Sequence, residues 1–391
     1  MSRIAIVGNY GPLVLNFRGK MIQAFRRAGN NVLVCAPALA GSDVEDTLNY
    51  WGVETHAIAL ERQGVNPFQD LRTVRALFRA FQSWEADTVF SYNAKPVVYG
   101  SVAGRLAGAR CYAMMTGLGY PFTASTWRAR LVRVIMVCLY RVAYQCCEAV
   151  IFQNPDDRDL MLKFGTLPSS TSTTIVGGSG VDTDHFQPAP LPERPVFLCV
   201  ARLLAEKGIR EYVEAARQIG ANHPEARFLL AGDFDSAVPK SVTEHELDTW
   251  REEGTIEYLG YLDDVREGIA EAAIYVLPSY REGTPRSVLE AMAMGRPIIT
   301  TDVPGCRETV EPSDNGWLVA PCSVDELTDA MSWMIDHPER WEDMGNESRS
   351  LALKHFDVEI VNRSIMNLMG LSPTTVAPVT GGRLPHHQPD P

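Results

Sequence analysis

The eight cysteines are scattered and include no pair spaced as Cys-x-x-Cys, which argues against a structural zinc site and a disulfide framework. Cys35, Cys111, Cys138, Cys146, Cys147, Cys199, Cys306 and Cys322 are expected as free thiols in a reducing compartment. Positive charge is in deficit: 36 Lys+Arg face 48 Asp+Glu, a net charge of −12. A general nucleic-acid binder needs a cationic footprint, so that class is set aside. No apolar run of about 18 uncharged residues occurs, so no membrane-crossing helix is expected. The chain contains neither Gly-x-Gly-x-x-Gly nor Gly-x4-Gly-Lys-Ser/Thr, which argues against a nicotinamide site and a Walker-type loop. Histidine is nearly missing from residues 1–184, where His56 stands alone. No leader pattern precedes Ile4-Ala5-Ile6-Val7-Gly8, and a cytoplasmic protein is expected.

What is present is an apolar chain with two-part grammar. Hydrophobic residues are 46% of 391 and charged residues 21%, enough for two domains with full cores. Residues 1–187 carry 18 Lys+Arg against 14 Asp+Glu, whereas residues 188–391 carry 18 against 34. Opposite net charge suggests two domains with different partners. The proline-rich stretch 188–195 reads as the connector. On both sides short β-branched strands alternate with amphipathic helices. The strands are expected at Arg3–Val7, Asn31–Ala36, Thr88–Ser91 and Val150–Gln153, then at Val196–Ala201, Arg227–Gly232, Thr255–Leu259, Ile274–Pro278, Pro297–Thr300 and Trp317–Val319. This predicts an α/β fold of two Rossmann-like, doubly wound domains facing across a cleft, at 1–187 and 196–355. Residues 371–391, with five prolines, read as a disordered tail, and His386-His387 as solvent-exposed rather than metal-binding.

Three loops carry chemistry. In Leu277-Pro-Ser-Tyr-Arg-Glu-Gly-Thr-Pro-Arg-Ser-Val-Leu-Glu, a strand ends, Glu282-Gly283 forms a loop, Thr284 is expected as helix cap and Pro285 as first helical residue. The free N–H groups of that helix would face a phosphate, and Gly283 would let backbone approach the ligand. Glu282 and Glu290 can accept hydrogen bonds from sugar hydroxyls. In Ala201-Arg-Leu-Leu-Ala-Glu-Lys-Gly, Arg202 and Lys207 follow a strand directly and could neutralise a departing diphosphate. The opening loop Gly8-Asn-Tyr-Gly11 and the loop Thr116-Gly117-Leu118-Gly119 permit tight turns, the second either lining an acceptor or serving as a plain turn.

These residues resemble glycosyltransferase family 4, retaining enzymes of GT-B fold. The resemblance spans residues 3 to about 370 and rests on Gly180-Val-Asp-Thr-Asp-His-Phe-x-Pro188, Arg202…Glu206-Lys207-Gly208, Gly232-Asp233 and Glu282-Gly283 through Glu290. It implies that the second domain binds a nucleotide-sugar, with Arg202 and Lys207 on the diphosphate, Glu282 on the sugar and Glu290 on the ribose. Gly11, Gly232, Asp233, Gly283, Thr284 and Pro285 would complete the donor site. A closing helix near Phe356–Leu368, within residues 356–370, would cross back to the first domain. Leu15-Asn-Phe-Arg, Asn66-Pro-Phe, Thr116-Gly-Leu-Gly, Leu131-Val-Arg and Pro304-Gly-Cys-Arg-Glu are similar to the subgroup that adds N-acetylhexosamines to polyprenyl-diphosphate-linked sugars. That implies a UDP-sugar donor and a lipid-linked or polysaccharide-precursor acceptor in cell-surface glycan synthesis.

Many family members carry a first-domain histidine near the donor sugar, where this chain reads Ser91-Tyr-Asn-Ala-Lys-Pro-Val. No protein base is assigned, because a front-side retaining reaction can pass the acceptor proton to the departing phosphate. Asp-x-Asp occurs at Asp157/Asp159, Asp182/Asp184 and Asp233/Asp235, and a linker explains Asp182/Asp184, and a strand-end loop Asp233, better than a metal. No metal or other cofactor is expected. Asn16, Arg18, Lys95, Gly117, Gly119, Arg130, Arg133 and Arg141 are assigned to the acceptor and membrane side. Taken as a helix, Trp127–Tyr144 groups Arg130, Arg133 and Arg141 within an arc of about 80°, opposite Leu131, Val132, Ile135, Leu139 and Val142. It could lie on an anionic membrane at the inner face of the cell, or pack its apolar side against the sheet. Rival functions on the same architecture are a sugar-nucleotide epimerase, a phosphorylase and a non-enzymatic nucleotide-sugar-binding scaffold.

Overall fold

The computed structural model describes residues 1–60, 67–123, 126–234 and 241–371. Asn66, Asp235, His386, His387 and the tail beyond Leu371 lie outside the described residues.

The first half contributes strands β1 (Arg3–Val7), β2 (Asn31–Ala36), β3 (Glu54–Ala57), β4 (Thr88–Tyr92), β5 (Arg110–Met115), β6 (Cys147–Phe152) and β7 (Ser172–Ile175). They form a parallel sheet in the order β3-β2-β1-β4-β5-β6-β7. Between them run helices α1 (Val14–Arg27), α2 (Asp43–Tyr50), α3 (Pro67–Ser83), α4 (Ala94–Leu106), α5 (Tyr120–Thr123), α6 (Trp127–Gln145) and α7 (Pro155–Lys163). Strand β1 shows why its sequence is apolar at every position after Arg3. Ala5 and Val7 enter the core on one face of the sheet, and Ile4 and Ile6 enter the core on the other.

The second half repeats the plan with β8 (Val196–Val200), β9 (Arg227–Ala231), β10 (Glu257–Gly260), β11 (Ile274–Leu277), β12 (Ile298–Thr301) and β13 (Gly316–Val319), in the order β10-β9-β8-β11-β12-β13. Its helices are α8 (Ile209–Gly220), α9 (Glu244–Glu252), α10 (Val265–Glu271), α11 (Arg286–Ala293), α12 (Val324–Asp336) and α13 (Trp341–Leu351). The chain then makes a π-turn over Ala352–Phe356 and ends in α14 (Val358–Leu368). Phe356 still belongs to the second core, whereas Val361, Ile365, Met366 and Met369 pack into the first-domain core beside α1. Two crossing segments therefore run side by side, joined by Val181 N donating to Phe356 O at 2.8 Å and Val358 N to Val181 O at 2.9 Å.

The α/β fold of two doubly wound domains is as expected. Strands β3, β5 and β7 are additions, and each lacks the pattern that marks a buried strand. Glu54-Thr-His-Ala and Ser172-Thr-Thr-Ile are short, polar edge strands. Arg110-Cys-Tyr-Ala-Met-Met is internal but has no β-branched residue.

In each sheet the strand order reverses once, between β1 and β4 and between β8 and β11. Ligands of open parallel sheets collect outside the carboxyl ends of strands at that reversal. The loops leaving β8 and β11 are those that carry Arg202–Lys207 and Glu282–Pro285.

Candidate functional site

The loop after β11 is built from its own backbone and its neighbour. Tyr280 N donates to Glu206 O at 2.9 Å, and the Ser279 hydroxyl reaches the same carbonyl at 3.1 Å. Thr300 Oγ1 donates to Leu277 O at 2.7 Å, Thr301 Oγ1 bonds Ser279 O, and Glu282 N donates to Pro304 O at 3.0 Å. The β8 and β11 loops are thus one unit, and their functional side chains meet inside it. The Lys207 ammonium is ion-paired with the Glu282 carboxylate, which also accepts from the Ser279 hydroxyl at 2.8 Å. The side chains of Lys207 and Glu282 are only 17% and 14% exposed, so the pair is partly withdrawn from water and its charges are weakly screened. Cys306 lies behind them, its thiol pushed up to about 12 by burial. Arg202 is exposed on the loop just after β8.

Helix α11 begins one residue later than expected. Pro285, extended at φ −73° and ψ 112°, is the cap, and Arg286 opens the helix. Thr284 is not the cap: its hydroxyl turns to the first domain and donates to Gln153 O at 3.1 Å. Glu290 is buried in α11, and its carboxylate accepts from Arg286 Nε at 2.7 Å. Burial raises the pKa of Glu290, against the pull of Arg286. Arg286 also bonds Asn16 O across the cleft and stacks over Phe17. The sequence reading passed over Arg286, which looks there like an ordinary surface charge on a helix.

Gly283 is constrained by protein as well as by any ligand. A Cβ on it would lie 2.2 Å from Thr116 O and 2.4 Å from Gln153 Oε1. The two domains therefore touch backbone to backbone here, with Gly117 as the facing residue and Asn154 Nδ2 donating to Gly283 O at 2.8 Å. Beside this contact the buried Asp157 pairs with Arg281, and Asp156 receives Arg307 at 3.0 Å. Asp157 and Arg281 flank the site without having been assigned to it.

Elsewhere the assigned residues spread out. Gly232, at φ +147°, holds the end of β9 against Ala201 O, where a Cβ would sit 1.8 Å from that oxygen. The next residue, Asp233, is exposed and binds Phe234 N at 2.8 Å. Gly11 is buried with its N–H on Pro37 O at 2.9 Å. Asn16 is exposed, Arg18 is buried, and Gly119 is exposed on the β5 loop. Lys95 lies 3.9 Å from Asp70. His56 is exposed on edge strand β3. Asn93 was missed. It follows β4 at φ 70° and ψ 160°, a region nearly reserved for glycine, and its side chain meets Asn9 Oδ1 at 2.7 Å and the Thr116 hydroxyl.

Helix α6 settles one open alternative. It does not pack its apolar side on the sheet. It buries Ala129, Tyr140, Ala143 and Tyr144, and leaves Leu131, Val132, Val134, Ile135, Leu139 and Val142 exposed. Trp127 at its start is 70% exposed. The helix contains no acidic residue, and Arg128, Arg130 and Arg141 are exposed along it. Arg133 instead donates to Pro121 O at 2.8 Å, and Arg141 also reaches Gly165 O at 2.9 Å. Among the described residues no helix is long and apolar enough to cross a membrane.

Residues 17–175 match the family described as glycosyl transferase 4-like domain, and residues 181–351 match glycosyl transferases group 1. The chain is 25% identical over 381 residues to the N,N'-diacetylbacillosaminyl-diphospho-undecaprenol alpha-1,3-N-acetylgalactosaminyltransferase of Campylobacter jejuni, covering 94% of this chain and 98% of the relative. It is 24% identical to the Escherichia coli UDP-Gal:alpha-D-GlcNAc-diphosphoundecaprenol alpha-1,3-galactosyltransferase, over 70% of this chain and 73% of that one. Among solved structures, sucrose-phosphate synthase from Thermosynechococcus elongatus superposes with a TM-score of 0.79 at 18% identity, over 95% of this chain and 98% of the other. Anabaena HepE in complex with UDP superposes with a TM-score of 0.75 at 18% identity, over 95% and 100%. The fold is GT-B.

Proposed function

We propose that this chain, a hexosyltransferase whose two halves match the glycosyl transferase 4-like and glycosyl transferases group 1 families, moves an N-acetylhexosamine from a UDP-sugar to a polyprenyl-diphosphate-linked glycan, with retention. The observation that carries this reading is the Lys207–Glu282 pair, half-buried where the second sheet reverses its strand order and next to the amino end of α11. A cation there stabilises the charge that grows on the diphosphate as the bond between the sugar C1 and the phosphate oxygen breaks. Arg202, on the same loop, adds a second cation, and the free N–H groups of α11 add dipoles. Glu282, fixed by Ser279 and Lys207, accepts hydrogen bonds from the donor sugar, and Glu290 from the ribose.

The acceptor hydroxyl attacks C1 from the side the phosphate leaves, so the anomeric configuration is kept, and the phosphate oxygen takes the hydroxyl proton. The exposed position of His56 on an edge strand suits a reaction with no first-domain histidine base. The chemistry uses no metal, because Lys207 and Arg202 supply the positive charge. Relatives named for undecaprenyl-diphosphate-linked substrates support the acceptor class, and the donor named in the galactosyltransferase supports UDP. Helix α6 would hold the first domain on an anionic membrane: its exposed apolar stripe enters the interface while Arg128, Arg130 and Arg141 meet lipid phosphates.

The test is a thermal-shift screen of UDP-, GDP-, ADP- and dTDP-sugars, because a ligand of the native state raises the melting point. The best donor is then incubated with a prenyl-diphosphate-linked sugar and the product's anomeric configuration is read by NMR. An α-linked product from an α-linked donor is expected. Conversion of the donor without acceptor would make the protein an epimerase, and a requirement for inorganic phosphate would make it a phosphorylase.

A further inference from the structure

The reversal point of the first sheet faces that of the second and holds a residue of unusual environment. Arg18, in the second turn of α1, reaches over the end of β4, its guanidinium carbon 4.8 Å from the centre of the Tyr92 ring. It is 2% exposed. Its Nη1 donates to Phe17 O and to the Ser179 hydroxyl in the crossing segment, both at 3.2 Å. Its Nε is buried with no hydrogen-bond partner. Among the described residues Arg18 makes no ion pair, and the charge acting on it from across the cleft is another cation, Arg286. Burial, and to a smaller degree Arg286, push the Arg18 guanidinium down to about 10 against the pull of Tyr92.

A buried cation without a carboxylate is one of the costlier arrangements in a fold, because desolvation is not offset by a counter-charge. A neutral side chain of similar volume would fill the same space at lower cost. A guanidinium offers five donors in a planar fork, and two weak bonds from one nitrogen leave much of that fork unused. The geometry of that fork matches a phosphate, which accepts two parallel bonds and supplies the missing negative charge.

We propose that Arg18, with Arg286 opposite, forms a phosphate-binding subsite on the first-domain wall of the cleft, separate from Arg202 and Lys207, that takes a phosphate of a diphosphate substrate. This rests on the reading of the cleft as a transferase site. Two sources share that chemistry, the nucleotide-sugar and the prenyl-linked acceptor. Calorimetric titration of the full chain with UDP and with farnesyl diphosphate distinguishes them, with uridine and farnesol as uncharged controls. Arg18→Gln should weaken one or both diphosphates roughly tenfold to hundredfold, the loss of a charge-assisted hydrogen bond, and leave the uncharged controls unchanged. A loss confined to UDP assigns the donor, and one confined to farnesyl diphosphate assigns the acceptor. Arg18→Lys retains the charge without the fork and should recover part of the affinity. It also serves as the test variant should Arg18→Gln not fold, and must then bind the affected diphosphate less tightly than wild type. Wild-type affinity for both diphosphates in a folded Arg18 variant overturns the proposal and makes Arg18 structural. Lys207→Ala is titrated in parallel: if it binds UDP as wild type does, the donor-site assignment fails whatever Arg18 does.

Discussion

Replacing Asp157 by asparagine should cost the enzyme most of its catalytic efficiency, although Asp157 touches no substrate in the proposed site. The carboxylate is 1% exposed, is bonded by Asn154 Nδ2 at 3.3 Å, and pairs with Arg281, whose side chain is 16% exposed. Asparagine keeps the size and removes the charge, leaving Arg281 buried without a counter-ion. Breaking such a pair from one side typically costs about 3–5 kcal/mol. The pair joins α7 of the first domain to the residue preceding Glu282 in the second, so the loss falls on the closed arrangement of the two domains. At about 1.4 kcal/mol per decade, kcat/KM should fall roughly 10²–10³-fold if closure accompanies the chemical step. UDP affinity, which the proposed donor site does not draw from this pair, should change much less. Arg281→Met should act alike. Combining it with Asp157→Asn should recover part of the loss, because an apolar side chain leaves no charge stranded, with a coupling of about 0.5–3 kcal/mol. Steady-state kinetics of the two single variants and the double variant decide. Single variants with kcat/KM within about twofold of wild type, or losses that simply add, would refute the idea that this pair holds the domains closed.

Lys207→Ala should reduce turnover by roughly 10²–10³ with the fold intact, as for loss of one charge-stabilising donor, and rates near wild type would remove its role. Asn93→Ala keeps the strained backbone and loses the bonds to Asn9 and Thr116, whereas Asn93→Gly relieves the backbone, so the glycine variant should be the more stable of the two by about 1 kcal/mol in thermal melts. Glu290 has a folded pKa raised by burial, so its favourable contribution is complete below its unfolded pKa of 4.5 and is lost as pH rises through the folded value. Wild type should therefore gain on Glu290→Gln in melting temperature as pH falls from 7 towards 4, and a gap independent of pH would contradict the burial argument. Glutamate at Leu131 or Val134 on α6 should abolish sedimentation with phosphatidylserine vesicles, by placing charge within the apolar stripe, while turnover on a water-soluble acceptor is retained.

Lys207 and Glu282, which the structure brings into one ion pair, were legible as candidates because strand, loop and helix signals are local. Each residue lies within a few positions of a strand end, and doubly wound sheets place ligands at such ends. Arg286 sat inside the same quoted motif and was passed over, since nothing in Pro-Arg-Ser-Val says that the guanidinium would cross the cleft to Asn16. Thr284 carried a helix-cap signature, yet its hydroxyl found a first-domain carbonyl 131 positions away. The periodicity of α6 grouped Leu131, Val132, Ile135, Leu139 and Val142 together, but could not say that the helix would bury Ala129, Tyr140, Ala143 and Tyr144 and leave that group exposed.

The amino-acid order alone determined the repeated strand-helix grammar, the two cores and the loops that bear charge, because each depends on neighbours within about a turn or a strand pleat. Tertiary structure alone decided that Asp157 meets Arg281, that Gly283 presses on Thr116, that Arg18 is buried without a carboxylate partner among the described residues and that α6 turns its apolar stripe outward. Those outcomes arise between residues brought together by packing two domains, and burial and electrostatic partners across such a contact have no signature in local sequence.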